Sequence, residues 1–239
     1  MFPIIFGGLP QSVEAWNPSR LPGTPREWLA GPTWCFTDTA GTIPAGDTDA
    51  VAAWRDRWQG TLVTQTDPLR RPTLRLVSGK WCVRFDGVND TMRGTYTRNQ
   101  PHECYYVGTL RNDGRVASDG FNGNTAYIWC DLVSATYRYL IYPGAANVGS
   151  VVSTDGAQVI LRGLFSGTSS EVQVNNGATI TGGGGTLATN GLTLGSIGGG
   201  TGTFPSAVDI NNFVDAGQAI DPADRARLWA YLNALWGVY

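Results

Sequence analysis

The chain is 239 residues long and carries 17 Lys and Arg against 19 Asp and Glu, a formal net charge of −2. That balance excludes the global positive field that would draw a protein to nucleic acid or to an anionic membrane surface, so neither is expected as a partner. With 42% hydrophobic residues, 11% aromatics, 15% charged residues and 32 glycines, the composition fits one sizeable core and excludes a disordered, collagenous or coiled-coil chain.

No run approaches the ~20 unbroken apolar residues of a membrane-spanning helix. The first residues, Met1-Phe-Pro-Ile-Ile-Phe, lack the charged start and long apolar stretch of a secretory signal. Cys35, Cys82, Cys104 and Cys130 show no C-x-x-C spacing, and buried free thiols are expected in preference to two disulfides.

Residues 1–33 contain Pro3, Pro10, Pro18, Pro22, Pro25 and Pro32, which deny a regular hydrogen-bond ladder and predict an extended arm ahead of a single domain over 34–239. Its apolar tip, Phe2, Ile4, Ile5 and Phe6, needs a dry seat and is the candidate anchor, either on its own domain or on a neighbouring subunit.

From about residue 50 to 200 the pattern is one of short strands. Lys80 to Phe85 places Trp81, Val83 and Phe85 on one face. Tyr105 to Leu110, Ala126 to Cys130, Tyr137 to Tyr142, Val148 to Val152, Gln158 to Phe165 and Glu171 to Val174 are similarly rich in strand formers. Turn pairs such as Asp113-Gly114, Asn122-Gly123, Asp155-Gly156 and Asn176-Gly177 separate them, which predicts an all-β sandwich or jelly roll. One helix is predicted over 222–236. Asp221 serves as N-cap, Pro222 and Asp224 suit the first turn, Leu228, Trp229, Leu232, Leu235 and Trp236 form an apolar stripe, and Gly237 is the stop.

Candidate chemistry is sparse. In Phe85-Asp-Gly-Val-Asn-Asp, Asp86, Asn89 and Asp90 can cap backbone amides of a turn that Gly87 permits; the alternative is a partial calcium shell. Trp54, Trp58 and Trp81 read as core, with sugar stacking as the alternative. The glycine clusters at 182–185 and 198–200 lack the Lys-Ser/Thr of a phosphate cradle and read as loops. Glu14, Glu27, Glu103 and Glu171 stand alone, without the paired-carboxylate strand of a glycan hydrolase. His102, the single histidine, reads as a solvated loop residue, and no nucleophile turn accompanies it, so no enzymatic activity is expected. The basic run Leu69-Arg-Arg-Pro-Thr-Leu-Arg is either the exposed approach to a strand or a grip for a carboxylate or phosphate.

Read in order, Trp34-Cys-Phe-Thr-Asp-Thr-Ala-Gly-Thr-Ile-Pro, Val51-Ala-Ala-Trp-Arg-Asp, Arg71-Pro-Thr-Leu and Trp81-Cys-Val-Arg-Phe-Asp-Gly-Val-Asn-Asp resemble the concanavalin A-like, laminin-G-like jelly-roll family. So does the end of the chain, where Val208-Asp-Ile-Asn-Asn-Phe-Val precedes a short helix finishing in Trp236-Gly237. The resemblance covers roughly 34–237 and implies two antiparallel sheets packed face to face. It departs at Trp58-Gln-Gly-Thr, which replaces the family's usual turn.

Together with the proline-rich arm, low charge and Gly/Thr-rich loops, the resemblance implies a structural virion component of a bacteriophage: a head-decoration, fibre or tail-associated protein. Its partners would be capsid or tail proteins, it would be a homo-oligomer such as a trimer, and it would assemble in the host cytoplasm. The alternative implied by the family is a carbohydrate-binding or adhesion module for surface glycans. That module would use the loop aromatics and amides Trp129, Tyr137, Tyr139, Asn122 and Asn124, with calcium as its one conceivable cofactor.

Overall fold

The alternation along Lys80 to Phe85 is realised in the strand Lys80–Asp86, where Val83 and Phe85 are fully buried and Trp81 packs against the same core. A computed structural model describes residues 16–112, 114–119, 126–133, 136–153, 156–186, 191–196 and 205–239. Among the described residues, the strands form two sheets in which every neighbouring pair runs antiparallel.

The eight-stranded sheet is ordered Ile180–Gly182, Ser170–Val174, Gln158–Phe165, His102–Leu110, Ala207–Asp215, Lys80–Asp86, Thr73–Val77, and Arg26–Leu29 also pairs with Ala207–Asp215. The nine-stranded sheet is ordered Val148–Ser153, Thr136–Tyr142, Tyr127–Val133, Gly114–Asp119, Leu192–Leu194, Met92–Gly94, Leu62–Thr64, Ala53–Arg55, Cys35–Phe36. The protein is therefore an all-β sandwich with one C-terminal helix. Trp28, Trp54, Phe85, Tyr106, Tyr139 and Phe213 fill its interior, and Trp54 Nε1 donates to the Leu29 carbonyl at 3.0 Å.

Strands of two or three residues, such as Cys35–Phe36 and Leu62–Thr64, escape the sequence pattern because a period of two cannot be established over so few residues. The arm also differs from expectation. Pro25 and Pro32 bracket a strand instead of excluding one, and Arg26–Leu29 pairs along its whole length with Asn212 to Asp215, burying Trp28 and Glu27 completely.

The helix Pro222–Trp236 starts and stops where its capping residues place it. Asp221 Oδ1 accepts from the Ala223 and Asp224 amides at 2.8 and 2.9 Å, and Gly237 closes the last turn in the left-handed region at φ 58°. Leu228, Trp229, Leu232 and Trp236 are buried against Tyr105, Val107, Ile160 and Val214 on the outer side of the eight-stranded sheet. Each such side chain contributes roughly 1.5–3 kcal/mol. Leu235, placed in the stripe by its spacing, is instead 43% exposed at the stripe's margin.

Buried ion pairs fix the helix to the sheet. Glu103, fully buried, binds Arg162 and accepts two bonds from Arg225 at 3.0 and 3.2 Å and one from the Ile220 amide at 2.9 Å. Glu27 accepts from Arg57, Tyr231 and Asn212 at 3.0, 3.0 and 2.9 Å; burial pushes its carboxyl up, and these partners oppose the shift. His102 is also corrected. It opens the strand His102–Leu110, is 1% exposed and stacks on Phe165 at 4.8 Å, because the strand begins directly after Pro101 and carries the ring inward. Cys35, Cys82 and Cys104 are buried free thiols.

Candidate functional site

Met92 and Val63 are fully buried in the core. Strand alternation therefore turns their neighbours Arg93 and Thr64, paired across the ladder, to the outer side of the nine-stranded sheet. Among the described residues no helix covers this side. A groove of about 490 Å³ opens there between the sheet and the loop that follows Thr64, with Thr64, Gln65, Asp67, Arg70, Arg93 and Thr95 in its wall.

The loop is braced from within. Gln65 donates to the Thr91 carbonyl at 2.8 Å and accepts from the Asp67 amide at 3.0 Å. Asp67 caps the short 3-10 turn Pro68–Arg70 by accepting from the Leu69 amide at 3.0 Å. The Arg71 guanidinium donates to the carbonyls of Gln65, Thr66 and Thr37 at 3.1, 3.3 and 3.4 Å, tying the loop to the neighbouring strand region. Two prolines, Pro68 and Pro72, limit the backbone further. The wall thus holds its shape before any ligand arrives, which spares the ligand the entropy of ordering it.

The charges in the wall are two arginines and one aspartate. Burial alone holds the Arg93 guanidinium below the usual arginine range, the sign of a partly dry site. Arg70 Nε lies 3.5 Å from Asp67 Oδ2, a loose pair between half-exposed side chains. Threonine hydroxyls complete a hydrophilic lining suited to a hydroxyl-rich ligand. A second cavity of about 410 Å³, beside Gln100, Pro101, Ser166, Gly167 and Gly185, has no charged side chain in its wall.

Among the described residues singled out from sequence, Arg70 of the basic run lines this groove, whereas Asp86, Asn89, Asp90 and Tyr139 do not. Asp86 Oδ1 accepts from the amides of Val88, Asn89 and Asp90 at 2.8, 3.2 and 3.3 Å, and Asp90 Oδ2 accepts from the Asp86 amide at 2.9 Å. The turn thus uses these carboxylates as caps. Gly87, at φ 80°, lies where a Cβ would meet Ala207 at 2.8 Å. Burial and the Asp86 charge push the Asp90 carboxyl up to about 6. Among the described residues no group of three or more His, Cys, Asp or Glu is placed to hold a metal ion.

Tyr139 is 1% exposed and belongs to the core, so its ring is not available to stack a sugar; the strand register that pairs it with Cys130 turns it inward. Trp129 and Tyr137 lie on strands opposite Leu140 and Leu132. Asn122, Asn124, Phe2, Ile4, Ile5 and Phe6 lie outside the described residues. Arg70 was visible in the basic run, whereas Arg93 and Thr64 were missed. Their only local signal is the alternation of Leu62-Val-Thr and Met92-Arg-Gly, three residues each.

No family model matches the chain, and no curated protein matches it. Solved structures do. Trypanosoma rangeli sialidase aligns over 88% of this chain and 33% of its own at 11% identity and a TM-score of 0.53. A GH54 α-L-arabinofuranosidase aligns over 88% of this chain and 61% of its own at 12% identity and a TM-score of 0.58. The chain spans about a third of the length of the sialidase, and at these identities the likeness is one of fold. It still corrects one expectation. The absence of a paired-carboxylate strand was read as excluding an enzyme, yet the proteins that share this sandwich include a sialidase and an arabinofuranosidase, so the exclusion does not stand. A motif within one strand is too local a criterion, because carboxylates distant in sequence converge in a sandwich. On its fold, the chain is a β-sandwich of the kind found in these sialidase and glycosidase structures.

Proposed function

We propose that this chain is a concanavalin A-like, laminin-G-like domain that recognises carbohydrate, with the groove over Thr64 and Arg93 as its binding site. The observation that carries the reading is that groove: polar, preformed and set on the sheet face that no described helix covers. The fold likeness to a sialidase and an arabinofuranosidase supports it, and favours it over the virion role that the arm and loops suggested.

The test is a glycan array probed with the intact chain, followed by calorimetric titration of the glycans retained, with calcium and with chelator. Saturable binding that weakens when Thr64→Val and Thr95→Val are combined is the expected result. A folded protein that retains no glycan overturns the reading. Loss of binding on chelation would transfer the site to the Asp86, Asn89 and Asp90 turn.

A further inference from the structure

We infer that the chain carries a further site, for a compact oxyanion such as the phosphate or carboxylate group of a small molecule, in a cavity over the eight-stranded sheet where Lys80 supplies the charge. The inference is independent of the carbohydrate reading and of the groove on the other sheet. The cavity, of about 190 Å³, has Ser78, Lys80, Thr109, Gln158, Asp209 and Asn211 in its wall. Strand register assembles it. Arg84 pairs with Asp209, Asp209 with Thr109, and Thr109 with Gln158, so one line of side chains crosses four strands on the outer face. Lys80 lies four residues before Arg84 in the same strand and shares that face. The helix Pro222–Trp236 covers the apolar part of the face and ends at Trp236, whose carbonyl Lys80 binds.

Lys80 is the single lysine of the chain. Its ammonium donates to Gln158 Oε1 at 3.0 Å and to the Trp236 carbonyl, both neutral, and among the described residues no carboxylate pairs with it. An ammonium has three hydrogens, so one remains for a ligand. The one carboxylate of the wall is already taken. Asp209 accepts two bonds from Arg84 at 2.8 and 2.6 Å and lies 3.3 Å from Arg111, so two guanidiniums answer a single negative charge. With Lys80, three cations face one anion here, in a chain whose net charge is −2.

The ammonium is held before any ligand arrives. Ser78 and Gly79, at φ 49° and 77°, form the two-residue turn that sets Lys80 opposite Val77. Gln158 extends the contact: its Nε2 donates to Asn211 Oδ1 at 2.9 Å, and Asn211, 5% exposed, donates to the Trp81 carbonyl at 2.7 Å. This chain of bonds fixes a long side chain that an anion would otherwise have to order on binding. A lysine ammonium is a compact point charge that serves a phosphate or a carboxylate alike, and Ser78 and Thr109 add hydroxyl donors in the same wall. The volume lies below the roughly 300–1,000 Å³ of pockets for drug-sized ligands, which limits the occupant to a small molecule.

The experiment labels the lysine of the intact chain isotopically, which gives one side-chain NMR signal, and titrates it with inorganic phosphate and with acetate, each against chloride at matched ionic strength and constant pH. The expected result is a saturable shift of the Lys80 signal with phosphate or acetate, half complete at about 1–10 mM, and only a small linear drift with chloride. Which of the two ions saturates tells phosphate from carboxylate. Thr109→Val keeps the lysine and removes a hydroxyl from the wall, so it should weaken binding about threefold to tenfold, the scale of one hydrogen bond. Lys80→Gln should abolish the binding heat measured by calorimetry with the same ion, and its melting curve reads the lost contact with the helix separately. Drift with phosphate and acetate no different from chloride overturns the inference. A saturable shift that Thr109→Val leaves unchanged overturns the assignment to this cavity, as does binding heat that survives in a folded Lys80→Gln protein.

Discussion

The outer sides of the two sheets face opposite demands. On the eight-stranded sheet, Tyr105, Val107, Ile160 and Val214 need cover, and the helix Pro222–Trp236 supplies it, locked by the buried Glu103. On the nine-stranded sheet, Thr64 and Arg93 tolerate water, and a groove stays open above them. One face spends its side chains on stability and the other keeps polar groups available. Substitutions on the first should therefore unfold the protein, and substitutions on the second should change what it binds.

The largest expected effect comes from Glu103→Gln. Removing this charge takes a buried carboxylate from both Arg162, 1% exposed and then held by Glu171 at 2.8 Å, and Arg225, and should cost about 3–5 kcal/mol by urea denaturation. A loss under about 1 kcal/mol would mean that the ion cluster does not hold the helix. Trp229→Ala removes a buried ring that meets Tyr105 edge-on at 5.7 Å and should cost roughly 3–4 kcal/mol, whereas Leu235→Ala, on the exposed margin, should cost under about 1. Equal losses would show that the helix face is drawn wrongly.

Two buried groups titrate in opposite senses between the neutral and acid ranges. Burial lowers His102 to about 3 from an ordinary 6.5, so the unfolded chain takes up a proton first and stability falls as pH drops below about 6.5. Asp90, raised to about 6 from 3.8, gains its proton first in the folded state, so stability rises as pH falls through about 6 toward 4. From about pH 7 to about pH 5 the first change amounts to a loss of about 2 kcal/mol and the second to a gain of about 1. His102→Phe should therefore be relatively stabilised by that acidification, and Asp90→Asn should be more acid-sensitive than the parent. Parallel melting curves for all three proteins across this range would remove both assignments. The smallest effect belongs to the groove, where Arg93→Gln should change the unfolding free energy by less than about 1 kcal/mol while altering ligand binding. A large destabilisation would make Arg93 a part of the scaffold.

Much of this architecture was legible because it depends on neighbours in sequence. The strand from Gln158 to Phe165 is rich in strand formers, the helix from Pro222 to Trp236 carries its own periodicity, and Asp221 and Gly237 carry its start and stop. The turn at Asp86 was equally readable, since its hydrogen bonds span two to four residues. His102 was misread because a proline and polar neighbours describe a loop, while the stacking partner that buries the ring, Phe165, lies 63 positions away in the chain.

The groove was legible only in fragments. Arg70 stood out as part of a basic run, but Thr64 and Arg93 sit on three-residue strands whose faces are defined only once Val63 and Met92 enter the core. The sequence by itself determined the all-β class, most of the longer strands, and the helix with both of its caps. Only the tertiary structure decided which sheet the helix would cover, which short strands would complete the other, and which arginines would share a cavity. Local hydrogen bonding and periodicity are written in consecutive residues, whereas a cavity is made by side chains that long-range antiparallel pairing alone brings together.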